Sequence, residues 1–292
     1  YLEYLKIRNF SERTIKGKSF GIEYFINYIR NKGIENFDKV TEEDIKEYQK
    51  YRYYYQNKIG IQDSPGHQNW HISTVKQFFK YLIKSGELNY NPAQNIELVK
   101  EPKRLPKSAL THKEVKKIIN QININEPLGY RDRTILEVLY SSGIRRSELT
   151  NIKLKDVKLE EGTIRINKGK GNKDRMVPIG KIAIKYLEGY IKFVRKEILK
   201  NKESEYLFIS KKQNKLSIDR LGDIVKMYAQ MSGIEKEVTT HTFRRTCATE
   251  MIRREAKIMY VKELLGHKSL ETIEPYCNLT IMDLKKAHEK YH

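Results

Sequence analysis

THTFRRTCATEMIRREAKIMYVKELLGHKSLETIEPYCN, residues 240–278, brings four chemically distinctive side chains together at close spacing. If its start is helical, His241 and Arg244 lie at i and i+3, on one face and in the first turn. That turn attracts an anion, because its backbone N–H groups are unpaired and the positive end of the helix dipole lies there. His267 and then Tyr276 follow. We therefore expect a phosphate at the helix start and Tyr276 as the nucleophile that attacks it.

The charge of the chain predicts a polyanionic partner. Its 292 residues, enough for two ordinary domains, include 57 Lys and Arg against 37 Asp and Glu, a net charge of +20. Nucleic acid is the first candidate, since its phosphates dominate the binding energy. The charge alone is also compatible with a basic protein that has no polyanionic partner.

Cysteine content and hydropathy bear on the cellular compartment. Cys247 and Cys277 form neither a metal-ligand spacing nor a disulfide framework, which fits a reducing, cytoplasmic location. The chain has no run of about 18 apolar residues, so we expect neither a transmembrane helix nor a membrane partner. Its first residue is Tyr1 rather than Met, which suggests that the native N-terminus is missing.

The first hundred residues have the pattern of a small helical bundle with basic polar faces. For the block as a whole we favour a DNA-facing surface, although any single Lys is more simply explained as a solvated charge. Apolar spacing and capping residues predict three helices, which start after Ser11, after Thr41 and near Ile72, and a turn at residues 63–66.

A basic segment with two prolines follows this block. Residues 100–107 read KEPKRLPK. Prolines stiffen such a segment and its apolar content is low, so we expect an interdomain linker at residues 99–108. Its cations, Lys103, Arg104 and Lys107, are placed to follow a phosphate backbone.

The second block is mainly helical with one β signal. Two extended runs, residues 163–166 and 175–179, flank a turn rich in Gly and Asn and predict a hairpin. Residues 207–209 are a short strand at best. The helices are predicted after Thr111, over residues 130–140, over residues 182–199, and after Ser217.

Several residue types in this block suit phosphodiester transesterification without a metal. Arg145 and Arg244 can hold the non-bridging oxygens, because the guanidinium fork stays charged and binds two oxygens at once. Lys170, between two glycines at the tip of the hairpin, can protonate the leaving oxygen. A phenol such as Tyr276 forms a phosphoester that stores the energy of the broken bond. No carboxylate cluster suggests a two-metal nuclease site.

Each of these features alone has an ordinary structural explanation. His241 and His267 are more simply capping or turn residues, Arg145 a surface charge, and the Gly-Lys-Gly tip a basic turn. Tyr276 is one of 20 tyrosines and would normally be assigned to packing. The ordered combination is far less expected by chance than any single member.

Four stretches of the second block form a recognisable set: GIRRSEL (143–149), GKGNKDRMVP (169–178), HTFRRTCAT (241–249) and LLGHKS (264–269) continuing to Tyr276. On these stretches, and over almost its whole length, the chain resembles the tyrosine recombinase (phage-integrase-like) family, and within it the Xer-type recombinases. The first block also resembles the family's core-binding domain, notably residues 70–82 and 91–93. The resemblance implies a mainly α fold with a small β-sheet: a helical, SAM-like core-binding domain at 1–98 and a mixed α/β catalytic domain at 109–292.

The resemblance also implies roles for individual residues. Tyr276 attacks the scissile phosphate to give a 3′-phosphotyrosyl link and a free 5′-hydroxyl, which then attacks the partner duplex's phosphotyrosine; neither metal nor nucleotide is needed. Glu148 matches the family's supporting carboxylate. The catalytic set is Arg145, Lys170, His241, Arg244, His267 and Tyr276. We further expect DNA contacts from Lys76, Lys103, Arg104, Lys107, Lys173, Arg175 and Arg245.

Two positions depart from the family pattern. Arg245 stands where the family usually has His, which adds charge near the phosphate. Pro275 removes a backbone donor beside Tyr276 and favours a loop there.

The implied partner is double-stranded DNA with an inverted-repeat core site, bound by a homotetramer or heterotetramer, with no small-molecule substrate. The amphipathic tail at residues 278–292 either packs on its own domain or docks into a neighbouring subunit. A non-catalytic DNA-binding accessory protein and a type IB topoisomerase-like relaxing enzyme are the alternatives.

Overall fold

The computed structural model describes residues 1–57, 59–102, 109–167, 174–266 and 288–289. The chain divides into two compact units, Tyr1–Arg104 and Leu105–His292. In the described part of the chain, no helix combines the length and the apolar character that crossing a membrane requires.

The first unit is helical, and two of its helices begin where capping residues predict. Ser11 caps the helix that begins at Glu12, and Thr41 forms a capping box with Asp44 at the start of the helix that begins at Glu42. The apolar faces enclose a core that includes Phe25, Tyr48 and Phe79. Gly86, which has a φ of +75°, follows Ser85, the C-cap residue of the last helix. The helices are α1 (Leu2–Ile7), α2 (Glu12–Asn31), α3 (Glu42–Tyr54) and α4 (Pro65–Lys84).

The turn predicted at residues 63–66 is wrong, because these residues begin α4. Ser64 is the N-cap and accepts a hydrogen bond from the His67 amide, while Pro65 occupies the first helical position. Proline is favoured there because its missing N–H is one that the helix cannot pair. A Ser-Pro pair therefore marks a helix start as well as a turn, and the local sequence does not distinguish the two.

The second unit is also mainly helical. Thr111 and Ser217 cap helices, as predicted, and α6 ends at Gly143 in the left-handed conformation. The predicted helix over residues 182–199 contains a π-helical turn at Tyr190–Val194. The helices are α5 (His112–Ile119), α6 (Pro127–Ser142), α7 (Arg146–Asn151), α8 (Lys181–Gly189), α9 (Arg195–Leu199), α10 (Ile218–Met231), α11 (Thr240–Arg253) and α12 (Ile258–Leu265).

A small antiparallel sheet accompanies these helices. Its described strands, in the order β1-β2-β3, are β1 (Val157–Lys158), β2 (Thr163–Ile166) and β3 (Arg175–Pro178). The predicted hairpin is confirmed: Ile164 pairs with Val177, and Ile166 pairs with Arg175. Residues 207–209 form no strand of this sheet; Ile209 makes an isolated bridge with Lys215.

The core of the second unit positions the C-terminal end of α6 and the start of α11. Helix α6 is fully buried at Ile135, Leu136, Val138 and Leu139, and it packs against both α8 and α11. Side chains alternate between the two faces along β2 and β3, and Ile164, Ile166 and Val177 lie on the face that packs into the same core. The C-terminal end of α6 and the start of α11 are thereby held by apolar packing.

Candidate active site

Arg145 is placed by the turn that ends α6. Gly143 adopts a φ of +59°, and an added Cβ would lie 2.9 Å from Leu265 Cδ2, so a side chain there meets both backbone strain and steric overlap. The chain then turns into α7, of which Arg145 is the N-cap residue. Arg145 is therefore fixed by the packing of α6 against the α12 region.

Arg244 is buried on α11, with 2% of its surface exposed. The predicted helix start is confirmed, but α11 begins at Thr240, so His241 lies in the first turn and Arg244 begins the second. Its guanidinium donates from Nη1 to the Gly143 carbonyl oxygen and from Nη2 to the Leu265 carbonyl oxygen, both at 2.7 Å. Arg244 thus joins the end of α6 to the end of α12.

Three arginines from different parts of the second unit converge on the C-terminal end of α12. Arg244 Nη2 donates to Leu265 O at 2.7 Å, and Arg145 Nη2 donates to Gly266 O at 2.9 Å. Arg175 Nε donates to Leu264 O at 3.2 Å. Three successive carbonyl groups, which a helix end leaves without intrahelical partners, are each bound by a different guanidinium. Cations are also favoured here by the helix dipole.

Glu148 lies between two of these arginines. Its carboxylate accepts from Arg145 Nη1 at 2.8 Å and from both terminal nitrogens of Arg175 at 2.9 and 2.8 Å. Burial alone would raise the pKa of Glu148, but the hydrogen bonds from Arg175 and Arg145 outweigh burial and lower that pKa to about 2. Glu148 is therefore a carboxylate at neutral pH and can orient both guanidinium groups.

The His241 ring is exposed beside this cluster of arginines. Its protein surroundings desolvate the ring in part and lower the pKa of His241 below the ordinary value of 6.5. The charges of Arg244, Arg146, Arg245 and Arg145 lower the same pKa further. The imidazole is therefore neutral at pH 7, a state in which one ring nitrogen can accept a proton.

The structure thus brings together four residues that were predicted from widely separated motifs. Arg145 and Arg244 bind adjacent carbonyl groups, Glu148 binds Arg145, and His241 lies in the field of both arginines. The remaining predicted site residues, Lys103, Arg104, Lys107, Lys170, Lys173, His267 and Tyr276, lie outside the described residues, as does most of the tail at 278–292.

Lys76 and Arg175, which were expected to contact DNA, are bound to groups of the protein. The Lys76 ammonium donates to the carbonyl oxygens of Gln94 at 3.1 Å and Ile96 at 2.6 Å, which holds the segment after α4 against that helix. Arg175 is bound to Glu148 and Leu264, as described above. Arg245, half-buried on α11, stays a predicted DNA contact.

Sequence reasoning missed that Arg175 and Gly266 belong to the arginine cluster. An added Cβ at Gly266 would lie 3.1 Å from the Arg175 Cζ, so the guanidinium packs against the glycine backbone. A signal for Arg175 existed in the chain: Glu148, which was predicted to be a supporting carboxylate, needs a cationic partner if it is buried.

A cluster in the first unit has potential metal ligands. Asp63, His67 and His71 place donor atoms within 4.8 Å of one another. The Asp63 carboxylate pairs with Arg52, which is 1% exposed, and a divalent ion there would lie beside that buried cation. His71 Nδ1 is already hydrogen-bonded to the Tyr48 hydroxyl at 3.3 Å. We interpret the cluster as a polar network, buried at Arg52 and His71 and open to solvent at His67, that supports the fold.

Comparison with known proteins identifies the family. The model of the phage integrase family matches residues 108–281, and the model of its N-terminal SAM-like domain matches residues 1–86. The chain belongs to the phage integrase family of tyrosine recombinases. The predicted family and fold class are therefore confirmed: a SAM-like domain precedes a mainly helical integrase catalytic domain with a small antiparallel sheet.

Relatives in this family are Xer recombinases. Tyrosine recombinase XerC 2 of Ralstonia nicotianae is 33% identical over 292 residues, which cover 100% of this chain and 84% of the relative. Tyrosine recombinase XerD of Listeria innocua is 32% identical over 295 residues, covering 100% of this chain and 97% of the relative.

A solved structure shares the fold. The XerH site-specific recombinase, bound to its palindromic difH substrate in a post-cleavage complex, superposes with a TM-score of 0.76 at 23% identity, covering 97% of this chain and 81% of that one. This integrase-family chain is an Xer-like enzyme that breaks and rejoins DNA, as predicted.

Proposed function

We propose that this tyrosine recombinase cleaves and rejoins DNA at a defined inverted-repeat core site, through a covalent 3′-phosphotyrosyl intermediate at Tyr276 and without a metal ion. The observation that carries the proposal is the pair of guanidinium groups of Arg145 and Arg244, which approach adjacent carbonyl groups beside His241. Two fixed cations and a neutral imidazole supply charge stabilisation and proton transfer for phosphoryl chemistry.

The chemical step balances without a cofactor. The Tyr276 phenolic oxygen attacks phosphorus while its proton passes to a base, for which the lowered pKa suits His241. The bond between phosphorus and the 5′ oxygen breaks, and Lys170 donates a proton to that leaving oxygen. Arg145, Arg244 and His267 bind the non-bridging oxygens, where charge develops. The phosphoester retains the bond energy, so a 5′-hydroxyl can reverse the step on either duplex.

The exchange of strands between two duplexes suggests a tetramer. Each duplex is broken on both strands in a complete exchange, so four strands and four nucleophiles take part. We propose that four copies, or two copies each of this chain and a related one, assemble on two core sites. The amphipathic tail is proposed to dock into a neighbouring subunit. Deletion of residues 283–292 then impairs synapsis more than DNA binding, and equal loss of both contradicts the docking.

The covalent adduct is the direct test. The protein is mixed with nicked suicide duplexes made from the DNA that flanks its own gene, with chelator present, and denaturing gels are run. We expect a protease-sensitive protein–DNA adduct that Tyr276→Phe abolishes. Tyr260→Phe, at an exposed tyrosine on α12, is the matched control and retains the adduct. An adduct that persists in Tyr276→Phe contradicts the assignment of the nucleophile.

A second assay tests the requirement for a defined site. Supercoiled plasmids with and without the duplex that gives the adduct are incubated with the protein. Recombination between two copies of that duplex, without relaxation of the plasmid that lacks it, is the expected result. Relaxation of both plasmids alike indicates a topoisomerase-like activity and contradicts site-specific recombination.

A further inference from the structure

Arg175 is the first residue of β3 and follows Asp174 in the chain. Its side chain is 15% exposed. All three guanidinium nitrogens donate within the protein: Nη1 and Nη2 to the two oxygens of Glu148 at 2.9 and 2.8 Å, and Nε to the Leu264 carbonyl oxygen at 3.2 Å. A fork that binds both oxygens of one carboxylate is the strongest and most directional form of this pair.

Glu148 is shared between Arg175 and Arg145. Its Oε1 accepts from Nη1 of Arg145 at 2.8 Å, and its Oε2 accepts from the Arg145 backbone amide at 2.8 Å. A carboxylate offers about four lone-pair sites, and these contacts with both arginines fill them. The orientation of the Arg145 guanidinium thus depends on a carboxylate that Arg175 holds from the opposite side.

Gly266 gives a second, independent connection. The Arg145 Nη2 donates to the Gly266 carbonyl oxygen, while the Arg175 guanidinium packs against the Gly266 Cα. An added Cβ would lie 3.1 Å from both Cζ and Nε of Arg175, and the residue has a φ of +64°. Arg175 therefore contacts the same backbone segment on which the Arg145 side chain rests.

We propose that Arg175 is a positioning residue of the recombinase: it sets Arg145 for the scissile phosphate through Glu148 and the backbone of residues 264–266, and it does not bind DNA itself. This inference rests on the proposed function. If Arg175 is absent, Arg145 is the one cationic partner left to the buried Glu148 carboxylate. The Arg145 guanidinium then rotates to bind both carboxylate oxygens, as Arg175 does in the wild type. Arg145 is then drawn away from the phosphate.

DNA contact and positioning predict different results for the same substitution. A cation that neutralises a phosphate contributes about 0.9 to the slope of log binding constant against log salt concentration. A positioning residue leaves that slope unchanged and lowers only the rate of strand cleavage. Misplacement of a reacting group by about 1 Å costs on the order of 100-fold in rate.

The experiment compares Arg175→Met with a matched control, Arg165→Met. Arg165 lies on the neighbouring strand β2, is exposed, and pairs with Asp174 at the surface. Binding to a core-site duplex is measured over a range of salt concentrations, and single-turnover cleavage of the suicide duplex is measured at saturating protein. We expect Arg175→Met to cleave about 100-fold more slowly with an unchanged salt slope. We expect the control to cleave at the wild-type rate. A salt slope reduced by about 0.9 in Arg175→Met overturns the proposal.

Coupling to Glu148 separates positioning from a general loss of structure. If Arg175 acts through Glu148, the double variant Arg175→Met/Glu148→Gln cleaves no more slowly than the slower single variant. Additive losses overturn the proposal. If Arg175→Met fails to fold, Arg175→Lys, which keeps the charge but not the fork, takes its place in the same cycle.

The wild-type protein distinguishes failure of this inference from failure of the proposed function. If the wild type forms no adduct on a duplex that it binds specifically, the proposed function fails. If the wild type forms the adduct and Arg175→Met forms it at the same rate, the positioning role of Arg175 fails and the proposed function stands.

Discussion

Arg244 donates to the Leu265 carbonyl oxygen at 2.7 Å, which ties the second turn of α11 to the C-terminal end of α12, two residues before His267. The same guanidinium binds the Gly143 carbonyl, two residues before Arg145. Arg244 therefore connects the backbone that leads to Arg145 with the end of α12, besides any contact of its own with phosphate.

Arg244→Lys is expected to lower both stability and cleavage. A lysine ammonium cannot reach the Gly143 and Leu265 carbonyl groups with the same planar fork, and one buried acceptor left unpaired costs about 1–3 kcal/mol. Urea unfolding followed by circular dichroism measures the stability, and the suicide duplex measures cleavage. Arg253→Lys, at the exposed end of the same helix, is the control and should match the wild type. Unchanged stability in Arg244→Lys contradicts the connecting role.

Glu148→Gln is expected to destabilise the second unit at neutral pH. The pKa of Glu148 is lowered to about 2, below its ordinary 4.5, so its carboxylate stabilises the fold above pH 4.5 and loses that contribution as the pH falls towards 2. Removal of one partner from a buried ion pair costs about 3–5 kcal/mol.

Hydrogen exchange of the backbone amides in α7 and α12 measures the loss of stability in the region around Glu148. At pH 7 these helices should exchange faster in Glu148→Gln than in the wild type, whereas Glu161→Gln, at an exposed pair with Lys158, should exchange normally. Equal protection in Glu148→Gln and the wild type would show that the carboxylate does not hold these elements.

The first unit is expected to lose stability in acid because of His71. This ring is 2% exposed on α4. Burial, the largest cause, and the positive charge of Arg52 together lower the pKa of His71 from 6.5 to about 3. Between these two pH values the unfolded chain binds one more proton than the folded chain. The free energy of unfolding therefore falls by up to about 1.4 kcal/mol for each pH unit below 6.5.

The single tryptophan, Trp70, reports this transition, since its ring centroid lies 4.8 Å from that of His71. Urea unfolding followed by Trp70 fluorescence should show the acid dependence in the wild type and a weaker one in His71→Gln. His67→Gln, which replaces an exposed ring on the same helix, is the control and should keep the acid dependence of the wild type. The same acid dependence in His71→Gln as in the wild type would rule out His71 as its source.

The pKa of His241 is expected to lie below 6.5 and to rise when a neighbouring positive charge is removed. Arg146 is exposed and lowers the pKa of His241 by its charge, so Arg146→Gln should raise that pKa. Nuclear magnetic resonance titration of the imidazole protons measures the shift directly. Arg253→Gln, at the other end of α11, is the control. If the neutral imidazole takes part in cleavage, the acid limb of the pH–rate profile moves to higher pH in Arg146→Gln. If the pKa of His241 is the same in Arg146→Gln as in Arg253→Gln, the charge of Arg146 does not lower it.

The elements were predicted well wherever their signals are local. Thr41 and Asp44 form the capping box that their spacing indicates, because both partners lie within one turn of the same helix. The pairing of β2 with β3 was similarly evident from two extended runs that flank a stretch rich in Gly and Asn. The prediction at Ser64-Pro65 was wrong because this pair of residues suits both a turn and a helix start.

The sequence by itself determined the chemistry of the site: which arginines, histidines and tyrosine occur, in what order, and on which helix starts and turns. Only the tertiary structure decided what Arg175 binds, because its partners Glu148 and Leu264 lie 27 and 89 positions away and Arg145 meets Gly266 across 121 positions. A surface cation that binds DNA and a half-buried arginine that pairs with a buried carboxylate have the same local sequence. Burial separates the two, since it makes an unpaired charge costly and so requires each guanidinium of the cluster to have a partner.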